Sequence, residues 1–520
     1  MPERRVIIIG AGMGGLTAAM DLARQGVSVT VLERHSLVGG RMHQRTVDGV
    51  SIDSGPTVIT MRWVFEDLFN ATGLELARFV DLRALPVIAR HAWSAHEQLD
   101  LFADHRESID AIAKFSSPAE ARRFETFCAE AARVYQGLEG AYIRSQRPSL
   151  VSMGADLGLR GLAQLASLGP FASLWKTLGR HFTDPRLRQL FARYATYCGG
   201  SPWQSPATLM LIAHVEQSGV WAAAGGMQAL GDGVAAAARE LGAQIRCGES
   251  VEEILVDRSR ASGVRLASGE TLRADALIFN GEAAALHAGL LGRHAQAASP
   301  ARSALEPRSL SALTWAMNAR VIGFEPSFHT VFFQDHYDTE FSDIFEHARL
   351  PRRPTVYVCA QDRSPHAEPA AAQTPAAQRR ERLLLLVNAP ALGGGPTLST
   401  EEIDACQSAA FSHLARCGLR LEADPSQTWR NTPDHFSQRF AGSKGAIYGM
   451  APHGWMSSFR RAGSQTALPG LFLAGGSVHP GAGVPMAALS GRLAAATLMA
   501  HLDSINRSRR VVISGGMSTG

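Results

Sequence analysis

A glycine-rich turn near the start of the chain constrains the fold more than any other feature of the sequence. Residues 6–9 are a short apolar run of the kind that forms a buried strand of a parallel sheet. A G-x-G-x-x-G pattern follows at residues 10–15, and apolar residues then repeat at helical spacing over 16–23. A second strand-like run, 27–32, ends at Glu33. This order predicts a Rossmann-like dinucleotide-binding unit in an α/β (α+β) fold.

Each residue of this unit has a predicted task. Gly10 permits the tight turn, Gly12 lets the backbone approach a pyrophosphate, and Gly15 lets the helix pack closely on the strand. Gly14 belongs to the same turn, whose free N–H groups at the helix start hold phosphate charge. Glu33 accepts hydrogen bonds from ribose hydroxyls and repels a 2′-phosphate, so NADP is disfavoured.

Two further segments distinguish FAD from NAD. Residues 34–41 end in G-G-R and residues 52–59 contain G-P-T. Both resemble segments of the flavin-containing amine oxidase and carotenoid desaturase superfamily. This resemblance implies FAD as the cofactor, and it implies that a strand valine touches the adenine through its backbone. The residues that it places at the cofactor are Arg34, Gly40, Arg41, Gly55, Pro56, Thr57 and Val251.

The C-terminal segment 469–491 is the most specific motif of the chain. It reads as a strand, a glycine turn and a helix, and Pro485 suits the first helical turn, where its missing N–H costs nothing. The segment resembles the signature of the bacterial phytoene desaturase family, and with residues 448–459 it is most similar to the hydroxyneurosporene (1-hydroxycarotenoid 3,4-) desaturase branch. The cofactor-binding residues predicted here are Gly475, Gly476, Val484, Pro485 and Met486, with the backbone of 484–486 directed at the flavin.

The resemblance also implies the chemistry. It implies introduction of a C-3,4 double bond into 1-hydroxycarotenoids such as 1-hydroxyneurosporene, with hydride transfer to flavin N5, in carotenoid biosynthesis associated with photosynthesis. A long apolar substrate tunnel follows from this activity. The sequence places no acidic residue at the flavin, so no catalytic base is named. No second G-x-G-x-x-G lies between a strand and a helix, and we expect the electrons to leave to oxygen or a quinone.

Other functions stay open on the sequence alone. The chain could be a phytoene desaturase, an amine oxidase, or a redox-neutral carotenoid isomerase that uses reduced flavin. A different class is a non-catalytic isoprenoid-binding escort protein, although the intact glycine turn, Glu33 and the terminal motif argue against loss of flavin.

Composition excludes several classes of protein. A net charge of +4 from 51 basic and 47 acidic residues is too small for a nucleic-acid binder. The six cysteines form no C-x-x-C pair, which disfavours a thiolate metal site and a secreted disulfide scaffold, and no metal site is predicted. Only 19% of the residues are charged, in keeping with additional apolar surface.

A carotenoid substrate resides in lipid, so we expect a cytoplasmic protein attached peripherally to a membrane. No apolar run approaches the ~18–20 residues of a spanning helix. The amphipathic segment 149–182, with Arg160, Lys176 and Arg180, is the leading candidate for the membrane-facing surface, and the basic residues 507–510 are secondary. The alternative for 149–182 is a helix that packs over the core or lines a substrate tunnel.

These patterns predict a discontinuous domain organisation. The FAD-binding domain comprises residues 1–65, 221–285 and 441–503. Residues 66–220 form a largely helical part facing the substrate and the membrane, and 286–440 form an inserted substrate domain of antiparallel sheet and helices. Residues 504–520 are predicted to be a disordered tail.

Overall fold

The computed structural model describes residues 4–146, 172–302, 305–366, 379–393, 395 and 397–514, with side chains to residue 505. Most of the predicted amphipathic segment 149–182 therefore lies outside the described residues.

A parallel sheet of five described strands forms the first layer. Its order is β20-β13-β1-β2-β9, and all four pairings are parallel. The strands are β1 (Arg5–Ile9), β2 (Ser28–Glu33), β9 (Gln244–Cys247), β13 (Ala276–Phe279) and β20 (Leu471–Leu473). They come from the three segments predicted to share one domain, so the two ends of the chain meet in one sheet.

Helices from the same three segments cover this sheet. Helix α1 (Met13–Arg24) begins directly after the glycine turn and buries Leu16, Ala19 and Met20 completely. It packs against α8 (Gly226–Glu240) and α15 (Val484–Ser514) in one apolar cluster. Alanines from all three helices, among them Ala18, Ala237 and Ala494, belong to this cluster, and their small side chains allow the helices to approach each other closely.

A second, mostly antiparallel sheet lies beyond the parallel sheet. Its order is β18-β14-β17-β16-β15-β6-β7, and β19 pairs with β14. Only β6 and β15 run parallel to each other. The strands are β6 (Val87–Ala92), β7 (Gln98–Phe102), β14 (Ser311–Gly323), β15 (His329–Phe332), β16 (Val356–Ala360), β17 (Arg380–Ala389), β18 (Leu419–Glu422) and β19 (Trp429–Asn431).

The remaining described elements are short strands and helices around the two sheets. The strands are β3 (Gln44–Val47), β4 (Val50–Asp53), β5 (Leu82–Ala84), β8 (Trp221–Ala223), β10 (Val251–Asp257), β11 (Arg260–Leu266) and β12 (Thr271–Arg273). The helices are α2 (Trp63–Thr72), α3 (His105–Phe115), α4 (Pro118–Leu138), α5 (Leu174–His181), α6 (Pro185–Ala192), α7 (Leu211–Gln217), α9 (Ala283–His287), α10 (Arg293–Ala297), α11 (Tyr337–Phe345), α12 (Thr400–Arg416), α13 (Pro433–Arg439) and α14 (Ser457–Arg460).

Two sequence-based expectations need correction. The segment 66–220 also contains β6 and β7, which join the second sheet through parallel pairing with β15, a long-range contact that local helical patterning does not reveal. Helix α15 continues to Ser514, so the predicted disordered tail starts too early at residue 504. The helix can continue because no proline or glycine occurs between residues 492 and 514. Near its end, Asp503 Oδ1 forms an ion pair with Arg4 Nη2 at 2.6 Å. Within the described residues, no helix is both long and apolar enough to cross a membrane.

Candidate functional site

A cavity of about 840 Å³ opens at the carboxyl ends of β1 and β2 and continues to the face of the second sheet. Ligands bind at this edge in open parallel sheets. The predicted cofactor residues that line it are Gly10, Gly12, Gly14, Glu33, Arg34, Gly40, Arg41, Gly55, Pro56, Thr57, Val251, Gly475, Gly476 and Val484. Gly15, Pro485 and Met486 do not line the cavity. One continuous cavity thus collects predicted residues from the N-terminal, central and C-terminal parts of the chain.

The glycine turn leaves no room for side chains. Gly10 has a φ of 101°, and a Cβ on Gly15 would lie 2.2 Å from the Gly10 carbonyl oxygen, so Gly15 serves helix–strand packing behind the cavity. A Cβ on Gly14 would lie 2.9 Å from both the Gly475 nitrogen and the Ala487 carbonyl oxygen. The N-terminal turn and the C-terminal motif therefore touch at Gly14.

Asn280 connects the glycine turn to β13, and sequence analysis missed it. Its Nδ2 donates to the Gly10 carbonyl at 3.0 Å, and its Oδ1 would lie 2.7 Å from a Cβ on Gly14. Asn280 directly follows β13, at the carboxyl end of a parallel strand, where site residues commonly lie. That position is the signal that could have identified it.

Glu33 is held in place by two backbone donors. Its Oε2 accepts from the Ala11 N–H at 2.8 Å and its Oε1 accepts from the His35 N–H at 2.9 Å, and the residue is 5% exposed. Each carboxylate oxygen keeps a lone pair. The side chain is thus oriented and can still accept hydrogen bonds from a ribose.

Arg41 forms an ion pair with Glu282 and stacks over the ring of Phe440, with 4.5 Å from Cζ to the ring centroid. The buried Arg41 Nη1 and Glu282 Oε2 have no hydrogen-bond partner. Sequence analysis did not single out Glu282 or Phe440, because both meet Arg41 only in the folded chain. The unpartnered Nη1 gives the cavity wall a donor for an anionic or carbonyl group.

Two arginines contribute positive charge to the cavity wall. Arg34 and Arg439 line the cavity, and the buried Arg439 Nε has no hydrogen-bond partner. Burial, reinforced by the charge of Arg439, lowers the pKa of His43 to about 4, so this imidazole stays neutral. The glycine cradle, the oriented carboxylate and these unpartnered cationic donors fit a ribose–pyrophosphate cofactor of the FAD type.

The far wall of the cavity is one face of the second sheet. Leu384, Leu386 and Asn388 alternate along β17 on that face, and Thr314 and Tyr357 lie beside Leu386 on the neighbouring strands. Because strand residues two apart share a face, this wall continues along the sheet. Its aliphatic part suits an apolar ligand.

Three polar side chains form a hydrogen-bonded chain in this wall. Thr57 Oγ1 lies 2.7 Å from Tyr357 Oη, which lies 2.6 Å from His329 Nδ1. Thr57 and Tyr357 line the cavity, and His329 is 3% exposed behind them. The chain connects the G-P-T segment to the second sheet.

Comparison with known proteins identifies the family. The model of the family described as flavin containing amine oxidoreductase matches residues 13–499. The chain belongs to this family. It is also 54% identical to the hydroxyneurosporene desaturase of Rubrivivax gelatinosus, covering 99% of this chain and 97% of that one. Identity to the hydroxyneurosporene desaturase of Cereibacter sphaeroides is 42%, covering 97% of this chain and 99% of that one.

The fold agrees with solved structures of the family. Putrescine oxidase with bound putrescine superposes with a TM-score of 0.58 at 18% identity, covering 96% of this chain and 99% of that one. The protein is an FAD-dependent oxidoreductase. The predicted fold class, the cofactor and the resemblance to carotenoid desaturases, including the hydroxyneurosporene branch, are confirmed.

Proposed function

We propose that this flavoprotein is a carotenoid desaturase that forms the C-3,4 double bond of 1-hydroxycarotenoids such as 1-hydroxyneurosporene. The observation that carries the proposal is identity over almost the full chain to proteins named hydroxyneurosporene desaturase, at 54% and 42%. The continuity of the cavity supports it, because residues predicted at the cofactor and the apolar face of the second sheet line the same space.

The residues proposed to hold FAD form three groups, which would bind its pyrophosphate, its ribose and its flavin. The backbone of the glycine turn and the start of α1 would bind the pyrophosphate, and Glu33 would bind the ribose. Arg41, Thr57 and the backbone around Gly475 and Val484 would hold the flavin. When bound, FAD supplies a hydride acceptor for the C–H bond that breaks. The protein aligns the polyene on the sheet face and excludes water from the reacting bond.

The substrate is tested by product mass. We expect the FAD-loaded protein to convert 1-hydroxyneurosporene into a product two hydrogens lighter, with phytoene and putrescine unchanged. A product of unchanged mass would indicate an isomerase, conversion of phytoene would indicate a phytoene desaturase, and peroxide from putrescine would indicate an amine oxidase. Bound carotenoid with no product in the presence of oxygen and a quinone would favour an escort protein. Comparing those two oxidants identifies the electron acceptor.

We propose peripheral membrane attachment through the part of the chain that includes α5. Ser173 caps this helix, Leu174 and Leu178 are buried, and the cations Lys176 and Arg180 are exposed. Exposed cations near an anionic bilayer each contribute ~1 kcal/mol of attraction.

Reversing the two cations tests this attachment. The double variant K176E/R180E should sediment with anionic vesicles at least about tenfold less than the unaltered protein at low salt, since about four charge units change. R239E alters an exposed cation of α8 and should sediment normally. Equal sedimentation of all three proteins would exclude α5 as the attachment surface.

A further inference from the structure

A buried arginine in the cavity wall has donors that the protein does not use. Arg193 begins the 3₁₀ turn that follows α6, is 8% exposed and lines the cavity. Its Nη1 donates to Tyr197 Oη at 3.0 Å, whereas Nε and Nη2 make no hydrogen bond. Leaving a buried donor without an acceptor costs ~1–3 kcal/mol. The position therefore favours a ligand that carries an acceptor atom.

The charge of Arg193 is already balanced. Nη2 lies 3.7 Å from Glu216 Oε1, and this carboxylate accepts hydrogen bonds from Tyr197 Oη and, at 2.6 Å, from Tyr194 Oη. An anionic ligand at Arg193 would have to lose its own hydration and compete with Glu216. A neutral oxygen, such as a hydroxyl, does not compete with Glu216 for charge, and its desolvation costs much less than that of an ion.

The neighbouring wall is polar but does not take up protons at neutral pH. Burial, with the charge of Arg193, lowers the pKa of His329 to about 3. His329 is the end of the hydrogen-bonded series that runs through Tyr357 to Thr57, and Thr57, Tyr357 and Arg193 line the same cavity. A neutral imidazole and two hydroxyls next to a balanced guanidinium suit hydrogen bonding to an alcohol better than acid–base catalysis.

We propose that Arg193 binds the terminal hydroxyl of the substrate and selects hydroxylated over unhydroxylated carotenoid ends. The inference rests on the proposed function and adds the residue that determines specificity. In a 1-hydroxycarotenoid the hydroxyl-bearing carbon is two bonds from C-3, so a group that holds this hydroxyl must lie close to the reacting bond. Arg193 can meet this requirement because it lines the same cavity as Thr57 and Tyr357, and it would fix the C-3,4 bond in register with the flavin.

Binding measurements on the protein loaded with reduced FAD, which cannot accept a hydride, test this role independently of turnover. We expect the unaltered protein to bind 1-hydroxyneurosporene about 10–100-fold more tightly than the corresponding carotenoid without the hydroxyl. Binding is measured by the shift of the polyene spectrum under anaerobic conditions. The double variant R193M/E216Q removes both charges together. In this variant the ratio of the affinities for the two carotenoids should fall to within about threefold, and the affinity for the unhydroxylated carotenoid should be unchanged. R188M is the matched control, because Arg188 donates to the Trp175 carbonyl away from the cavity lining.

Retention of the full preference by R193M/E216Q with normal flavin content would overturn the role of Arg193. If the double variant does not fold, a crystal structure of the unaltered holoenzyme with 1-hydroxyneurosporene decides the same point. An Arg193 nitrogen within hydrogen-bond distance of the hydroxyl supports the proposal, and the hydroxyl elsewhere contradicts it. Failure of the unaltered protein to convert 1-hydroxyneurosporene at all would instead contradict the proposed function.

Discussion

Replacing Gly14 by alanine is expected to remove most of the FAD from the purified protein. The new methyl group would lie 2.7 Å from Asn280 Oδ1 and 2.9 Å from two backbone atoms, the Gly475 nitrogen and the Ala487 carbonyl oxygen. Backbone cannot move aside cheaply, so α1 and the C-terminal motif must separate. Overpacking of this kind costs ~1–3 kcal/mol, which corresponds to roughly 5–150-fold weaker binding. The visible flavin absorption relative to protein absorption measures the loss.

The control for this substitution is Gly140→Ala. A methyl group there meets no atom within 4 Å, so FAD content should equal that of the unaltered protein. Apoprotein of Gly14→Ala should still be folded by circular dichroism, because the clash lies at the meeting point of two segments rather than within a strand. Full FAD content in Gly14→Ala would show that the two ends of the chain do not form the site as described.

Mild acid is expected to destabilise the protein strongly. Burial, as the largest cause in each case, lowers the pKa of His43, His413 and His479 to about 4 and that of His329 to about 3. The unfolded imidazoles take up protons below pH ~6.5, whereas the folded ones do not until pH ~4. The contribution of these imidazoles to the free energy of unfolding is fully present above pH ~6.5, and it is lost as the pH falls from there toward 4. Each such histidine contributes a loss of ~1.4 kcal/mol per pH unit once the unfolded form is protonated.

Proton uptake by these four histidines in the unfolded state lowers the free energy of unfolding by on the order of 8 kcal/mol between pH 7 and pH 5. This is a large share of a typical free energy of unfolding of ~5–15 kcal/mol. We expect the Tm of the apoprotein to fall by roughly 5–10 °C over this interval in scanning calorimetry. His413→Asn should reduce by about one the number of protons that the protein takes up on unfolding in this pH range. A Tm that is flat from pH 7 to pH 5 would mean that these imidazoles are not buried in the neutral form.

Local sequence signals were sufficient to predict the glycine turn between β1 and α1, which the structure contains. A glycine turn between a strand and a helix has few alternative structures, so Gly10, Gly12 and Gly14 could be placed before the fold was known. Gly15 could be assigned to helix–strand packing for the same reason, and its Cβ position against the Gly10 carbonyl agrees with that role. Pro485 and Met486 are next to cavity residues in sequence but do not line the cavity, because successive helical residues point in different directions.

The substrate half depends on contacts between distant parts of the chain. Arg193 and Tyr357 have no local motif, and they reach the cavity only because the second sheet and the helices after residue 172 pack against the parallel sheet and its helices. The pairing of β6 with β15 is equally invisible in either strand alone. Asn280 is the exception, since its position after a buried strand was a usable signal.

Anaerobic mixing of the FAD-loaded protein with one equivalent of 1-hydroxyneurosporene tests the central claim most directly. The claim is that one cavity brings the cofactor and the end of a hydroxylated polyene together. We expect the visible flavin absorption to bleach in a single turnover while the polyene spectrum shifts to longer wavelength by one added conjugated double bond. Unchanged flavin and polyene spectra, with the carotenoid demonstrably bound, would contradict the account.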